Sequence, residues 1–176
     1  MKTVISAIVT VSLLIPGMTA FTLEKDHHNS NAGTESRRPD VQYAWKVNWN
    51  KLDEGIKKSK KERKPMLVDF AVHEGCPRCD FLQKNVYSRD SIVAKINKDF
   101  IPIFIDLAYD LTPDEQALGE KHEFHDDCLL LFLNHQMEPV LDPDGNKMCF
   151  AEEIKPGTFK RYLDYVIGIY ESKVNF

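Results

Sequence analysis

Two cysteines separated by two residues, Cys76-Pro77-Arg78-Cys79, are the part of this chain best equipped for chemistry. The spacing alone says little in a chain with four cysteines. Its context says more. The apolar run Met66 to Val72, broken only by Asp69, reads as a buried central strand. The cysteines follow directly and open a stretch patterned as a helix, with Phe81, Leu82 and Val86 inward. A helix start leaves backbone N–H groups unpaired and favours negative charge. A thiol placed there ionises below its free pKa of about 8.5, and the thiolate is the species that attacks disulfides. Cys76, at the exposed start, is expected to attack. Cys79, one turn on and more buried, is expected to resolve the mixed disulfide. Pro77 suits the first helical position because it has no N–H to satisfy. Arg78 either adds a cation near the thiolate or points to solvent.

The surrounding pattern supplies the elements that would hold such a site. Tyr43, Trp45 and Val47 alternate as a short first strand, and Asn50 can cap a helix that buries Trp49, Leu52 and Ile56. A second helix is expected from Asp90 or Ser91, with Ile92, Val93 and Ile96 inward, and a second buried strand over Phe100 to Asp106. Thr112-Pro113-Asp114-Glu115 is a helix start with a capping box. Leu129 to Leu133 reads as a third strand, turned at Asn134 to Met137 into Pro139 to Leu141. Asp142-Pro143-Asp144-Gly145 is a turn that lacks the later ligands of a calcium loop. Lys147 to Phe150 is a possible further strand, and a last helix from Pro156 buries Phe159, Tyr162, Leu163, Val166 and Ile169. Alternating strands and helices imply parallel pairing, with the terminal hairpin adding antiparallel strands.

The 176 residues, 43% hydrophobic, suit one domain with tails, and a net charge of -4 gives no sign of a nucleic-acid partner. The basic run Lys57 to Lys64 reads as a solvated helix face. At the N-terminus, Lys2, the uncharged stretch Val4 to Ile15, the break at Pro16-Gly17 and the small residues Thr19-Ala20 have the order of a secretory signal peptide. Residues 1–20 are therefore expected to be a signal, 21–40 a polar linker and 41–176 the domain. Met18 is an imperfect cleavage residue, so an uncleaved anchor is the alternative, and only then is a membrane involved. Export places the cysteines in an oxidising compartment, where a chain of this size needs no disulfides to fold. Redox or metal chemistry then outranks stapling.

Val68-Asp69-Phe70 followed shortly by Cys-x-x-Cys resembles the central strand and active-site loop of the thioredoxin superfamily. The resemblance spans about residues 43–172. It is nearest to small exported members, in the bacterial periplasm or secreted, or alternatively in the eukaryotic secretory lumen. It implies an α/β thioredoxin-like fold, a central mixed sheet flanked by helices. It implies a protein disulfide reductase, oxidase or isomerase with no bound cofactor. Such a protein, expected as a monomer, would act on protein disulfides and be recharged by an upstream redox partner. Residue by residue, Cys76 matches the attacking cysteine, Cys79 the resolving cysteine, and Asp69 the buried aspartate that assists proton transfer. Pro77, Arg78, Asp127 and Cys128 would line the substrate groove.

Three departures stand out. Five residues separate Phe70 from Cys76, one more than usual. Gly75 replaces the common aromatic residue. Cys128 stands where the family has a cis-proline. The alternatives follow from that third departure. Cys128 is a buried inert thiol, an additional resolving thiol, or a metal ligand with Cys76, Cys79 and His73 or His125. A fold that binds partners without turnover is a further alternative. Cys149 reads as structural or unpaired, and His122 and His125, spaced i, i+3 near a helix end, read as partly exposed loop histidines, with a ligand role the alternative.

Overall fold

The computed structural model describes residues 44, 46–72, 75–124 and 129–174. The expected signal and linker segments, and Tyr43 and Trp45 of the expected first strand, lie outside them. The elements are α1 (Leu52–Glu62), β1 (Met66–Ala71), α2 (Pro77–Phe81), a π-helical turn (Leu82–Val86), α3 (Asp90–Asp99), β2 (Ile101–Asp106), α4 (Pro113–Lys121), β3 (Leu130–Leu133), β4 (Cys149–Phe150) and α5 (Pro156–Val174).

The sheet order is β2-β1-β3-β4. β1 pairs in parallel with β2, Met66 opposite Ile101, and antiparallel with β3, Asp69 opposite Leu130. β3 and β4 are antiparallel, with Leu131 opposite Cys149. This is the mixed sheet expected, with β3, the first strand of the expected terminal hairpin, running antiparallel to β1. The chain enters β3 beside the end of β1, because α4 does not carry it back along the sheet.

All six residues of β1 are buried, as befits an inner strand covered on both faces. Period two sorts them. Met66, Val68 and Phe70 join Ile101, Ile103, Ile105, Leu131 and Leu133 on one face, packed on Leu52 of α1 and Leu118 of α4. Leu67 and Ala71 join Phe104, Leu130 and Phe132 on the other, packed on Cys79, Leu82, Val86, Ile96, Phe159 and Leu163. Asp69 shares the parity of Leu67 and Ala71. It therefore points toward the layer that carries the cysteines.

The helix starts differ in their chemistry. At α4 the capping box forms as expected: Glu115 N–H donates to Thr112 Oγ1 at 3.3 Å, and Thr112 N–H donates to Glu115 Oε2 at 2.8 Å. Asn50, expected to cap α1, does not. Lys51 occupies that position without a side-chain cap. The Asn50 amide instead donates to the carbonyls of Asn48 (3.0 Å) and Pro102 (2.8 Å), tying the entry of α1 to β2. Pro139 to Leu141 forms no strand, only the isolated bridges Leu133–Pro139 and Leu141–Lys147. Pro139 has no N–H to offer a ladder. The Asp142 carboxylate accepts N–H bonds from Asp144 (2.9 Å) and Asn146 (2.8 Å), so that segment is a turn, as expected.

Two predictions follow from the packing. Gly55 of α1 lies directly over β2, and a Cβ there would stand 2.6 Å from Ile103 Cδ1 and closer still to Cγ1. Ile103 is fully buried and has little room to move. Alanine would add helix propensity of about 1 kcal/mol, but overpacking a core costs about 1–3 kcal/mol. Gly55→Ala is expected to lower the urea midpoint, and a raised midpoint would contradict the close approach.

His122 is buried, and its Nε2 has no hydrogen-bond partner among the described residues. Desolvation, then the nearby Lys121 and Lys147, hold its pKa below the usual 6.5. With the folded-state value depressed, the unfolded chain takes the proton first. The stability His122 gives is complete above about pH 6.5 and drains as pH falls through the folded-state value. His122→Gln is therefore expected to shrink the fall in Tm between about pH 7.5 and about pH 5. Calorimetry of both proteins at the two pH values checks this, and an undiminished fall would contradict it.

Candidate active site

The site begins where β1 ends. Gly75 adopts φ 74°, a left-handed backbone that a side chain would strain, and a Cβ there would meet nothing. This turn accompanies the missing aromatic residue noted in the sequence. Cys76 then takes an extended conformation as the N-cap of α2, and Pro77 starts the helix as expected. The Cys76 sulfur accepts the Cys79 N–H at 3.1 Å, so one orphan donor of the helix start is aimed at it. Cys76 and Cys79 form a disulfide, with Cα atoms 5.2 Å apart. Cys76 is half-buried, whereas Cys79 is only 2% exposed. The outer and inner sulfurs thus fall as the sequence suggests. Pro77 is exposed beside them.

Arg78 resolves the choice left open in the sequence: it turns inward. Its side chain is 8% exposed and that of Asp69 is fully buried. Arg78 Nη2 donates to Asp69 Oδ1 at 2.8 Å, and Nη1 lies 3.8 Å from the Cys79 sulfur. The Tyr87 hydroxyl donates to the other carboxylate oxygen, Oδ2, at 2.8 Å. Tyr87 is itself held by edge-on contacts with Trp49 and Phe159, centroids 5.5 and 6.1 Å away.

Tyr87 was not singled out from the sequence. Eight residues of ideal α-helix would carry it about 80° round the axis from Cys79. The π-turn at Leu82–Val86 absorbs one residue and brings it back to within about 20°. Nothing in the residue types announces that turn. The available signal was indirect: an acid inside an apolar strand requires donors. Arg78 and a tyrosine with an apolar body are suitable suppliers.

His73, His125, Asp127 and Cys128 lie outside the described residues. Cys149 is half-buried on β4 and disulfide-bonded, which corrects the unpaired half of its expectation. Among the described residues, no three His, Cys, Asp or Glu side chains gather as a metal site. His122 sits in the core rather than in an exposed loop, a correction that follows from the packing of the turn after α4.

The thioredoxin-like family matches residues 47–134, from the entry of α1 through β3. This chain belongs to that family. No curated protein matches it. Two solved structures share the thioredoxin-like fold. One is a thioredoxin from Thermus thermophilus, with TM-score 0.51 and 16% identity, covering 69% of this chain and 87% of that one. The other is DsbH oxidoreductase, with TM-score 0.50 and 15% identity, covering 81% and 96%.

The buried ion pair makes a stability prediction. Asp69→Ala would leave the Arg78 guanidinium buried without its carboxylate, a change that typically costs about 3–5 kcal/mol. Urea unfolding of the oxidised thioredoxin-like domain measures it. A loss below about 1 kcal/mol would mean that water reaches the pair.

Proposed function

We propose that this thioredoxin-like protein is an exported thiol–disulfide oxidoreductase that exchanges the Cys76–Cys79 disulfide with protein thiols. The observation that carries the reading is the pairing of a solvent-reachable sulfur at a helix start with a buried sulfur one turn inside. A partner thiolate attacks Cys76 and opens the disulfide. In the opposite direction, Cys76 forms the mixed disulfide with a substrate and Cys79 resolves it. Each step exchanges one S–S bond for another, so no organic cofactor is required.

Reduced Cys76 would stand where the helix start and the Cys79 N–H favour a thiolate. Asp69 shares Arg78 with the Cys79 sulfur, which suits it to assist proton movement there. Pro77 lies exposed at the rim, suited to contact a substrate chain together with Asp127 and Cys128. The partners in this reading are protein disulfides and a second redox protein that restores the pair. Export rests on the signal-like order of residues 1–20. No helix among the described residues is long and apolar enough to cross a membrane.

The test is reduction of insulin disulfides with dithiothreitol as the electron source. The wild-type chain is expected to exceed its Cys76→Ser variant by at least about 100-fold, as loss of an attacking nucleophile requires. Equal rates would overturn the enzymatic reading and leave a thioredoxin-like domain that binds partners without turnover.

A further inference from the structure

The inward turn of Arg78 has a chemical use. A guanidinium carries five N–H donors, accepts nothing and stays charged in proteins. In the oxidised protein Nη2 meets Asp69, Nη1 reaches the uncharged Cys79 sulfur only at 3.8 Å, and Nε has no hydrogen-bond partner among the described residues. The Nη1 contact is long, so a closer approach to a charged sulfur is open to it. That sulfur becomes an anion during disulfide exchange, in a place where water is nearly absent. Hydrogen bonds to a charged acceptor are shorter and roughly twice as strong as neutral ones.

We propose that Arg78 is a catalytic residue that stabilises the thiolate of Cys79, with Asp69 and Tyr87 as the positioning residues that aim it. The proposal rests on the oxidoreductase reading above. The co-reactant is a dithiol protein. Its first thiolate attacks Cys76 Sγ, and a bond forms between the partner's sulfur and Cys76. The Cys76–Cys79 bond breaks and its electron pair passes to Cys79 Sγ, which faces Arg78. The partner's second thiolate then attacks the partner's own sulfur in the mixed disulfide and releases Cys76 as a thiolate. The partner leaves oxidised by two electrons and the pair is left reduced by two. In reverse, the Cys79 thiolate attacks Cys76 Sγ in a mixed disulfide and expels the partner's thiolate. A stabilised thiolate leaves faster and also attacks less strongly, but nucleophilicity falls by a factor of only about 0.4–0.5 on the logarithmic scale. The net effect of Arg78 is an easier opening of the disulfide and a more oxidising pair.

The full-length protein is equilibrated with reduced and oxidised glutathione, and the reduced fraction is read from the mass added by thiol alkylation. Arg78→Gln leaves the Asp69 charge without its guanidinium in the layer that carries Cys79. Its equilibrium constant for reduction is expected to fall at least about tenfold, equivalent to about 30 mV toward more reducing values. Asp69→Asn removes the opposing charge and is expected to shift the potential the other way. Arg78→Lys keeps a cation and is expected to recover most of the wild-type value.

General damage to the packing would move Arg78→Gln and Asp69→Asn alike, so a shared direction overturns the proposal. So does an Arg78→Gln constant within about twofold of wild type. If neither variant folds, Tyr87→Phe decides. It keeps the ring against Trp49 and Phe159 but removes the donor that quiets Asp69. A shift toward more reducing values supports the proposal, and none, or the opposite, overturns it. A wild-type pair that never equilibrates with glutathione would defeat the oxidoreductase reading itself. Normal wild-type exchange with unmoved variants defeats only the role given to Arg78.

Discussion

A carboxylate in the middle of a fully buried strand must find donors, and Asp69 organises its surroundings by that need. An uncompensated charge in such a place costs several kcal/mol. Here the compensation comes from Arg78 on one oxygen and Tyr87 on the other. Arg78 belongs to the helix that carries both cysteines, and Tyr87 to the turn that ends the helical stretch. Satisfying one acid thus ties the first and last parts of that segment to the central strand. The disulfide sits above this anchor.

The alternation of β1 makes the arrangement possible. Five of its six residues are apolar and are divided between two packed layers, and the position that breaks the apolar pattern falls on the cysteine-bearing side. A register slip of one residue would send Asp69 to the opposite layer, among Val68's neighbours, where no donor from the cysteine helix reaches. The parallel pairing with β2 and the antiparallel pairing with β3 fix that register from both sides.

Much of this was readable in the residues. The apolar run around Asp69, the Pro77 helix start and the capping box at Thr112 each rest on local chemistry that tertiary packing did not override. What escaped depends on long-range geometry. Asn50 is a good N-cap by type, but the carbonyl of Pro102 offered its amide a better use. The π-turn that rotates Tyr87 toward Asp69 has no signature in residue type, and the inward course of Arg78 depends on that same acid. The site's sulfurs were legible as a motif. The charges beneath them required the fold.

Those charges explain why the two residues between the cysteines have different work. In the oxidised state the disulfide is neutral, and beneath it the Arg78 guanidinium faces the Asp69 carboxylate. Reduction can place a negative charge on either sulfur. At Cys76 water and the backbone N–H of Cys79 are available to meet it, and Pro77 keeps the helix start in place. At Cys79, almost fully enclosed, the solvent contributes little, so protein donors would have to meet the charge. Among the described residues, Arg78 reaches that sulfur, with Nη1 at 3.8 Å. In the proposed exchange the outer thiolate would be governed by the helix terminus and the inner one by the dipeptide's second residue. On that proposal, the balance struck between Arg78 and Asp69 would set how readily the disulfide opens.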